Sequence, residues 1–130
     1  MLKKTTKAIA TPIATGEYTA VFVSMRDGKT PADTCLTFRL TEQDRLINAF
    51  VNNARVIFKD EKSGEEFTSE DFFFQGLKRQ LKMYGEDVDP MEVLNACAEN
   101  PITLWIISDE KYTNVYASKP KAYDGAELGL

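Results

Sequence analysis

Three aromatic side chains lie close together near the end of the chain, at Trp105, Tyr112 and Tyr116. They belong to two strand-like runs, Ile102 to Ser108 and Tyr112 to Ser118, which are joined by a short polar turn. Neither run separates polar from apolar residues cleanly, so the alternation does not assign the rings to a core. Such rings can stack on the bases of a single nucleic-acid strand, at about 1–3 kcal/mol per base. Burial in an ordinary core is the competing interpretation, and we expect two of the three rings to be exposed.

Basic side chains on the neighbouring predicted strands and loops supply the second component of such a site. Proteins that stack single-stranded bases hold the phosphate backbone in a positive groove. A threonine and an arginine on the outward side of the second strand also suit a phosphate or base contact. The candidate nucleic-acid-binding residues are Trp105, Tyr112, Tyr116, Thr37, Arg39, Arg45, Arg55, Lys59 and Lys111.

The net charge of −4 argues at first against a nucleic-acid partner, because phosphate neutralisation dominates the affinity for such a partner. The charges are unevenly distributed, however. Residues 60–99 contain 11 acids and 4 bases, whereas the rest of the chain contains 9 acids and 12 bases. Because that remainder includes nearly all the strand-like segments, the sheet can be positive while the helical region is acidic. Merely solvated charged faces are the alternative interpretation.

The absence of histidine excludes several kinds of catalytic site. No Ser-His-Asp triad or Cys-His pair can form, and Cys35 and Cys97 show no zinc-ligand spacing. Asp87 and Asp89 could hold magnesium, but they lie where a turn and a helix start are predicted. The acidic stretch 60–71 has Lys62 at the third position of a calcium loop, where a ligand belongs, and Glu65 where the glycine of the sharp turn belongs. We therefore predict no enzyme activity, no cofactor and no metal site, with both cysteines as reduced thiols.

The elements that must position the candidate residues begin with strand-like runs. The first predicted strand covers Glu17 to Met25, before a turn that contains Gly28. The second, Thr34 to Thr41, places Leu36, Phe38 and Leu40 in the core and Cys35, Thr37 and Arg39 outside. Residues 42–53 could form a capped helix or a third strand, and we favour a strand over 45–52. A β-like piece at 55–59 followed by an acidic turn indicates an extra hairpin.

A helix follows these strands. Thr68 or Ser69 can cap it, and an apolar stripe continues from Phe73 to Tyr84 before Gly85 ends it. Lys78, Arg79 and Lys82 lie late in this helix, where they complement its dipole. A second, short helix is predicted from Pro90 to Ala98, with Asp89 at its start.

Three strands, a helix and two strands is the element order of an OB-fold, a five-stranded barrel that commonly binds oligonucleotides. The predicted fold is therefore mainly β with α: an OB-fold barrel with a capping helix between strands 3 and 4. At 130 residues and 43% hydrophobic content, the chain is predicted to form one domain over 1–130. A basic segment, 1–12, precedes the first strand, and a short tail, 119–130, follows the last.

Three runs resemble the small phage-encoded single-stranded-DNA-binding proteins of replication and recombination modules. They are Gly16 to Val21 (GEYTAV), Phe74 to Gly85 (FQGLKRQLKMYG) and Tyr112 to Val115 (YTNV). The resemblance covers most of the chain and departs from the pattern in the acidic stretch 55–67. It implies an OB-fold, sequence-tolerant binding of single-stranded DNA, no catalysis, and self-association as a homo-oligomer, with a dimer favoured. Replication or recombination proteins are further expected partners.

The location and the competing function are also expectations. No apolar run approaches the roughly 20 residues that span a bilayer, and the basic start has no signal-peptide core behind it. We therefore expect a cytoplasmic protein with no membrane partner, in the host cytoplasm if a phage encodes it. The alternative function is a protein-interaction or structural assembly module that uses the acidic helical face. The tail has only two acids, and an ordinary terminus is preferred over a partner-recruiting tip.

Overall fold

The structure is a computed structural model that describes residues 13–85 and 87–120. The predicted basic segment 1–12 and the tail residues 121–130 lie outside these described residues. The strands are β1 Gly16–Asp27, β2 Asp33–Leu40, β3 Arg45–Asn52, β4 Val56–Lys59, β5 Glu66–Thr68, β6 Ile102–Ser108 and β7 Thr113–Tyr116. The helices are α1 Ser69–Leu81 and α2 Pro90–Glu99.

Five strands form one antiparallel sheet in the order β3-β2-β1-β6-β7, and β4 and β5 form a separate hairpin. β1 joins the two halves of the large sheet, because Gly16–Ala20 pair with β6 and Ala20–Asp27 pair with β2. β3 and β7 are the two edges, and some of their Cα atoms approach within 8 Å. No backbone ladder joins these edges within the described part of the chain. The described residues thus form a mainly β fold with two helices, and they include the extra hairpin that the sequence predicts.

The core lies on one face of the large sheet, beneath α1 and α2. The alternation of β2 is confirmed for Leu36, Phe38 and Leu40, each of which is at most 1% exposed. The Phe38 ring centroid lies 6.0 Å from that of Phe73 on α1 and 5.7 Å from that of Phe22 on β1. Ile102, Leu104 and Ile106 of β6 are buried in the same core. β2 and β6 therefore each bury one face with a period of two residues, as the strand geometry requires.

Residues 42–53 form a turn and a strand rather than a helix. Asp44 adopts a left-handed conformation with φ 51°, and β3 then pairs with β2 from Arg45 opposite Leu40 to Asn52 opposite Asp33. This register buries Ala49 and Val51 on the core side. Pairing with β2 satisfies the backbone hydrogen bonds of β3, which local propensity alone did not decide.

The first helix starts as predicted and ends earlier than predicted. Thr68 is its N-cap, in a capping box in which the Thr68 side chain and Asp71 bond reciprocally. The helix stops at Leu81, because Lys82 adopts a left-handed conformation with φ 57°. Tyr84, predicted in the buried stripe, is therefore outside the helix and 73% exposed. In α2, Asp89 caps the start as expected, and its carboxylate accepts a hydrogen bond from the N–H of Met91.

Both cysteines are free and buried. Burial raises the pKa of the Cys97 thiol to about 12. Cys35 lies on the outer face of β2, as predicted, yet it is 0% exposed. Its cross-strand neighbours are Arg26 and Phe50. The Cys35 side chain is much shorter than theirs, so a residue at this position can be covered even on the outer face. No helix in residues 13–85 and 87–120 is long and apolar enough to cross a membrane.

Candidate functional site

A groove of about 930 Å³ lies between the two edge strands of the sheet, β3 and β7. Side chains of β3 form one wall, and the β6–β7 loop, β7 and the segment up to Pro120 form the other. Ile57 of β4 and the start of α1 complete the lining. The groove exists because neither edge strand continues the sheet, so the space between them is left to side chains.

Aromatic side chains line this groove and remain accessible. Tyr112 is 67% exposed and Phe50 is 65% exposed, and Phe72 and Tyr116 are 38% and 37% exposed. Accessible aromatic rings that cluster around one cleft are uncommon in soluble proteins and typically mark a surface on which a ligand or a partner packs. The arrangement offers several flat surfaces for planar or apolar ligand groups.

Among residues 13–85 and 87–120, no carboxylate lines the groove, although the chain has 20 acidic residues and a net charge of −4. The charged lining side chains are Lys111 and Lys119. A smaller cleft elsewhere, by contrast, is lined by the two acids Glu17 and Glu42. The groove is therefore a locally positive site on an acidic protein, which favours an anionic ligand.

Three of the predicted site residues meet in this groove: Lys111, Tyr112 and Tyr116. The loop that carries the first two is held by Asp109, whose carboxylate accepts hydrogen bonds from the N–H groups of Tyr112 and Lys111, at 2.7 and 2.8 Å. These bonds, first from Tyr112 and then from Lys111, lower the pKa of Asp109. The Asp109 carboxylate is thus hydrogen-bonded to the backbone of its own turn, and these bonds hold the shape of the loop.

Two further predicted residues, Thr37 and Arg39, lie on the outer face of β2. Thr37 donates a hydrogen bond to Asn48 Oδ1 of β3 at 2.8 Å. Arg39 Nη1 lies 3.7 Å from Asp44 Oδ1, and both side chains are substantially exposed. An exposed pair of this kind contributes little to stability, so Arg39 can exchange this partner for a phosphate at small cost.

The remaining predicted cations lie away from the groove lining. Arg45 begins β3, and its backbone pairs with Leu40. Arg55 and Lys59 flank and end β4, and both are exposed. The structure therefore does not bring these three side chains together with Tyr112.

Trp105 faces away from the core, as Thr103 and Ile107 do, and is half-buried. Its cross-strand neighbours are Glu17 on β1 and Tyr116 on β7. The indole Nε1 is buried and has no hydrogen-bond partner among the described residues. Trp105 adjoins the groove through Tyr116 but is not part of its lining.

Sequence reasoning missed Phe50, Phe72 and Asn48 as lining residues. Leu46, Asn48 and Phe50 alternate with buried positions of β3, so the period-two pattern could have shown them once the segment was known to be a strand. Phe72 carried no such signal, because it lies in a run of three phenylalanines on α1.

α1 holds one wall of the groove in place through Gly76 and Gln80. Gly76 lies so close to Ala117 that an added Cβ would be 2.6 Å from the Ala117 carbonyl oxygen. Gln80 Nε2 donates to the carbonyl oxygens of Ala117 and Thr103, both at 2.9 Å, and the Thr103 N–H donates back to Gln80 Oε1 at 2.7 Å. These contacts set the position of the chain just after β7.

Comparisons with family models, with curated proteins and with solved structures found no match to this chain.

Proposed function

We propose that this protein is a non-catalytic OB-fold protein that binds single-stranded DNA, with little sequence preference, in the groove between β3 and β7. The observation that carries the proposal is the lining of this groove, in which the described residues supply accessible rings and lysines and no carboxylate. A single strand has stackable bases on one side and phosphates on the other, and this lining offers a partner for each.

The strand order supports the OB-fold part of the proposal. An OB-fold is a partly open five-stranded barrel that binds its ligands on the face of strands 2 and 3 and on the loops between strands 1 and 2 and strands 4 and 5. The order β3-β2-β1-β6-β7, with α1 and α2 inserted between β3 and β6, fits that plan. β6 and β7 then correspond to strands 4 and 5, and Lys111 and Tyr112 lie on the loop between them.

The resemblance to phage single-stranded-DNA-binding proteins extends the proposal to biology. On that resemblance we propose a role in phage-type replication or recombination, and the proposed location is the cytoplasm of the host. The resemblance also implies a homo-oligomer, with a dimer favoured, which light scattering would report as twice the chain mass of 14.6 kDa.

Fluorescence anisotropy of a labelled oligo-dT at low salt tests the binding. Neutralising about three phosphates, with Lys111, Lys119 and Arg39, gives a slope of about −2 in log K against log salt. Tyr112→Ala removes one stacking platform and should weaken binding by about 5- to 150-fold. Tyr84→Ala is the matched control, because Tyr84 is 73% exposed but does not line the groove.

Two results would contradict the proposal. One is the absence of any anisotropy change at about 10⁻⁴ M protein, the weak end of non-specific binding. The other is an equal effect of the Tyr112 and Tyr84 substitutions, which would place the ligand away from the groove.

A protein-interaction or assembly role is the second candidate, and the exposed acids of α2 favour it. Asp89, Glu92 and Glu99 are all exposed, and none lines the groove. Two results together would support this role instead. The protein would capture a protein partner and lose it when Glu92 and Glu99 are both changed to lysine, and the unsubstituted protein would bind no oligonucleotide.

A further inference from the structure

One hydrogen bond beside the groove fixes the orientation of a side-chain amide. Thr37 of β2 and Asn48 of β3 are directly opposite each other in the ladder, on the outer face. The Thr37 hydroxyl donates to Asn48 Oδ1 at 2.8 Å. Asn48 is exposed and lines the groove, whereas Thr37 is half-buried and does not.

The bond decides which end of the Asn48 amide meets a ligand. β3 is an edge strand, with β2 on one side and the groove on the other. Because Oδ1 is directed toward Thr37 on β2, the NH₂ group at the other end of the amide is directed away from β2, toward the groove. Asn48 therefore presents hydrogen-bond donors, rather than an acceptor, to the ligand.

The surroundings of Asn48 favour a base over a phosphate. Leu46 and Phe50 lie two residues to either side on the same face of β3 and are 58% and 65% exposed. The lysines of the groove, Lys111 and Lys119, come from the opposite wall. A group bound above Asn48 is thus flanked by apolar side chains, which suits a flat base and not a charged oxygen.

We propose that Asn48 is a base-reading residue, which donates its amide hydrogens to a carbonyl oxygen of a bound pyrimidine, and that Thr37 is its positioning residue. This inference rests on the proposed single-stranded-DNA function. Thymine and cytosine carry such oxygens, whereas adenine offers only ring nitrogens as acceptors. The usual asparagine pairing with adenine also requires Oδ1 to accept from the adenine amino group, and here Oδ1 is directed toward Thr37. Binding is therefore biased toward pyrimidines over adenine within an otherwise tolerant site.

The test measures dissociation constants for oligo-dT, oligo-dA and an abasic strand of equal length, by anisotropy. The ratio of the oligo-dA to the oligo-dT constant also depends on how strongly the free strands stack, so it is the change in this ratio on substitution that reports base reading. Thr37→Val keeps the branched shape but removes the donor, and Asn48→Ala removes the amide. In each we expect this ratio to fall by about 2- to 10-fold, the value of one hydrogen bond. Thr37→Ser keeps the hydroxyl and should retain the ratio, and Asn95→Ala on α2 is the matched control for loss of an exposed asparagine.

The outcomes separate this inference from the proposed function. A ratio that is unchanged, while all three strands bind more weakly to Asn48→Ala, would mean that Asn48 contacts the phosphate backbone and would overturn the inference alone. An unchanged ratio in Thr37→Val, with a reduced ratio in Asn48→Ala, would remove the positioning role of Thr37. The absence of binding to every strand by the unsubstituted protein would overturn both.

Discussion

Gly76→Ala is the substitution whose effect the structure determines most sharply, because two physical effects of opposite sign compete. In the middle of an exposed helix, replacing glycine with alanine stabilises by about 1 kcal/mol. Gly76 is instead buried in α1 against the chain that follows β7. An added Cβ would lie 2.6 Å from the Ala117 carbonyl oxygen and 2.7 Å from the Ala117 carbonyl carbon, where ordinary contact begins at 3.4 Å.

The clash involves backbone atoms, so no side-chain rotation relieves it, and α1 must move away from residue 117. Overpacking of this kind costs about 1–3 kcal/mol, and a backbone clash belongs at the upper end of that range. After subtracting the gain in helix propensity, we expect a net loss of about 1–2 kcal/mol in the free energy of unfolding.

Urea denaturation followed by circular dichroism measures this loss. With a slope of about 2 kcal/mol per molar urea, the midpoint should fall by about 0.5–1 M. Gly16→Ala is the control: an added Cβ there would meet only the Tyr18 ring, at 3.6 Å or more, and its midpoint should change little. A Gly76→Ala protein that is as stable as the unsubstituted one, or more stable, would refute the packing of α1 against the wall of the groove.

Three further outcomes are expected. Thr68→Ala removes the N-cap of α1 and half of its capping box. It should lower the free energy of unfolding by about 1 kcal/mol in the same urea experiment. An unchanged urea midpoint would show that the cap contributes nothing to stability. The pKa of Asp33 lies below its ordinary value of 3.8, because its carboxylate accepts hydrogen bonds from Asn52, which has the larger effect, and from Thr30. The ionised carboxylate therefore stabilises the fold above about pH 3.8, and this contribution is lost as the pH falls further. The Asp33→Asn variant should therefore lose less stability than the unsubstituted protein when unfolding is compared at pH 5 and pH 2, and an equal loss would contradict the assignment. Cys35 and Cys97 are buried, and burial raises the pKa of Cys97 to about 12. Neither thiol should therefore react with an aromatic disulfide reagent at pH 8 until urea unfolds the chain. Rapid reaction of the native protein would contradict this burial.

Local patterns in the sequence were enough to predict most elements. The alternation in β2, the cap at Thr68 and the Asp89-Pro90 start of α2 all depend on neighbouring residues, and the structure confirms each. Residues 45–52 were harder, because their apolar positions fit a helix or a strand. Only pairing with β2 decided between them.

The candidate site was predictable in part for the same reason. Lys111, Tyr112 and Tyr116 were identified because one short segment contains them all, and the structure brings them together. Phe50 and Phe72 come from strands and helices distant in sequence, and no local pattern relates them to Tyr112. Tyr84 shows the reverse case: its spacing matched the helical stripe, but the left-handed turn at Lys82 moved it to the surface.

The sequence by itself determined the order of the elements, the faces they bury and the concentration of acids in residues 60–99, because these depend on residue type and on separation along the chain. Only the tertiary structure decided that β3 and β7 face each other as edges with no ladder between them in the described part of the chain. It also decided that the described residues between them supply rings and lysines without a carboxylate. The physical reason is that a groove is formed by residues from separate segments of the chain. The distances between those residues are set by strand register and helix packing, through contacts such as those of Gly76 and Gln80 with Ala117.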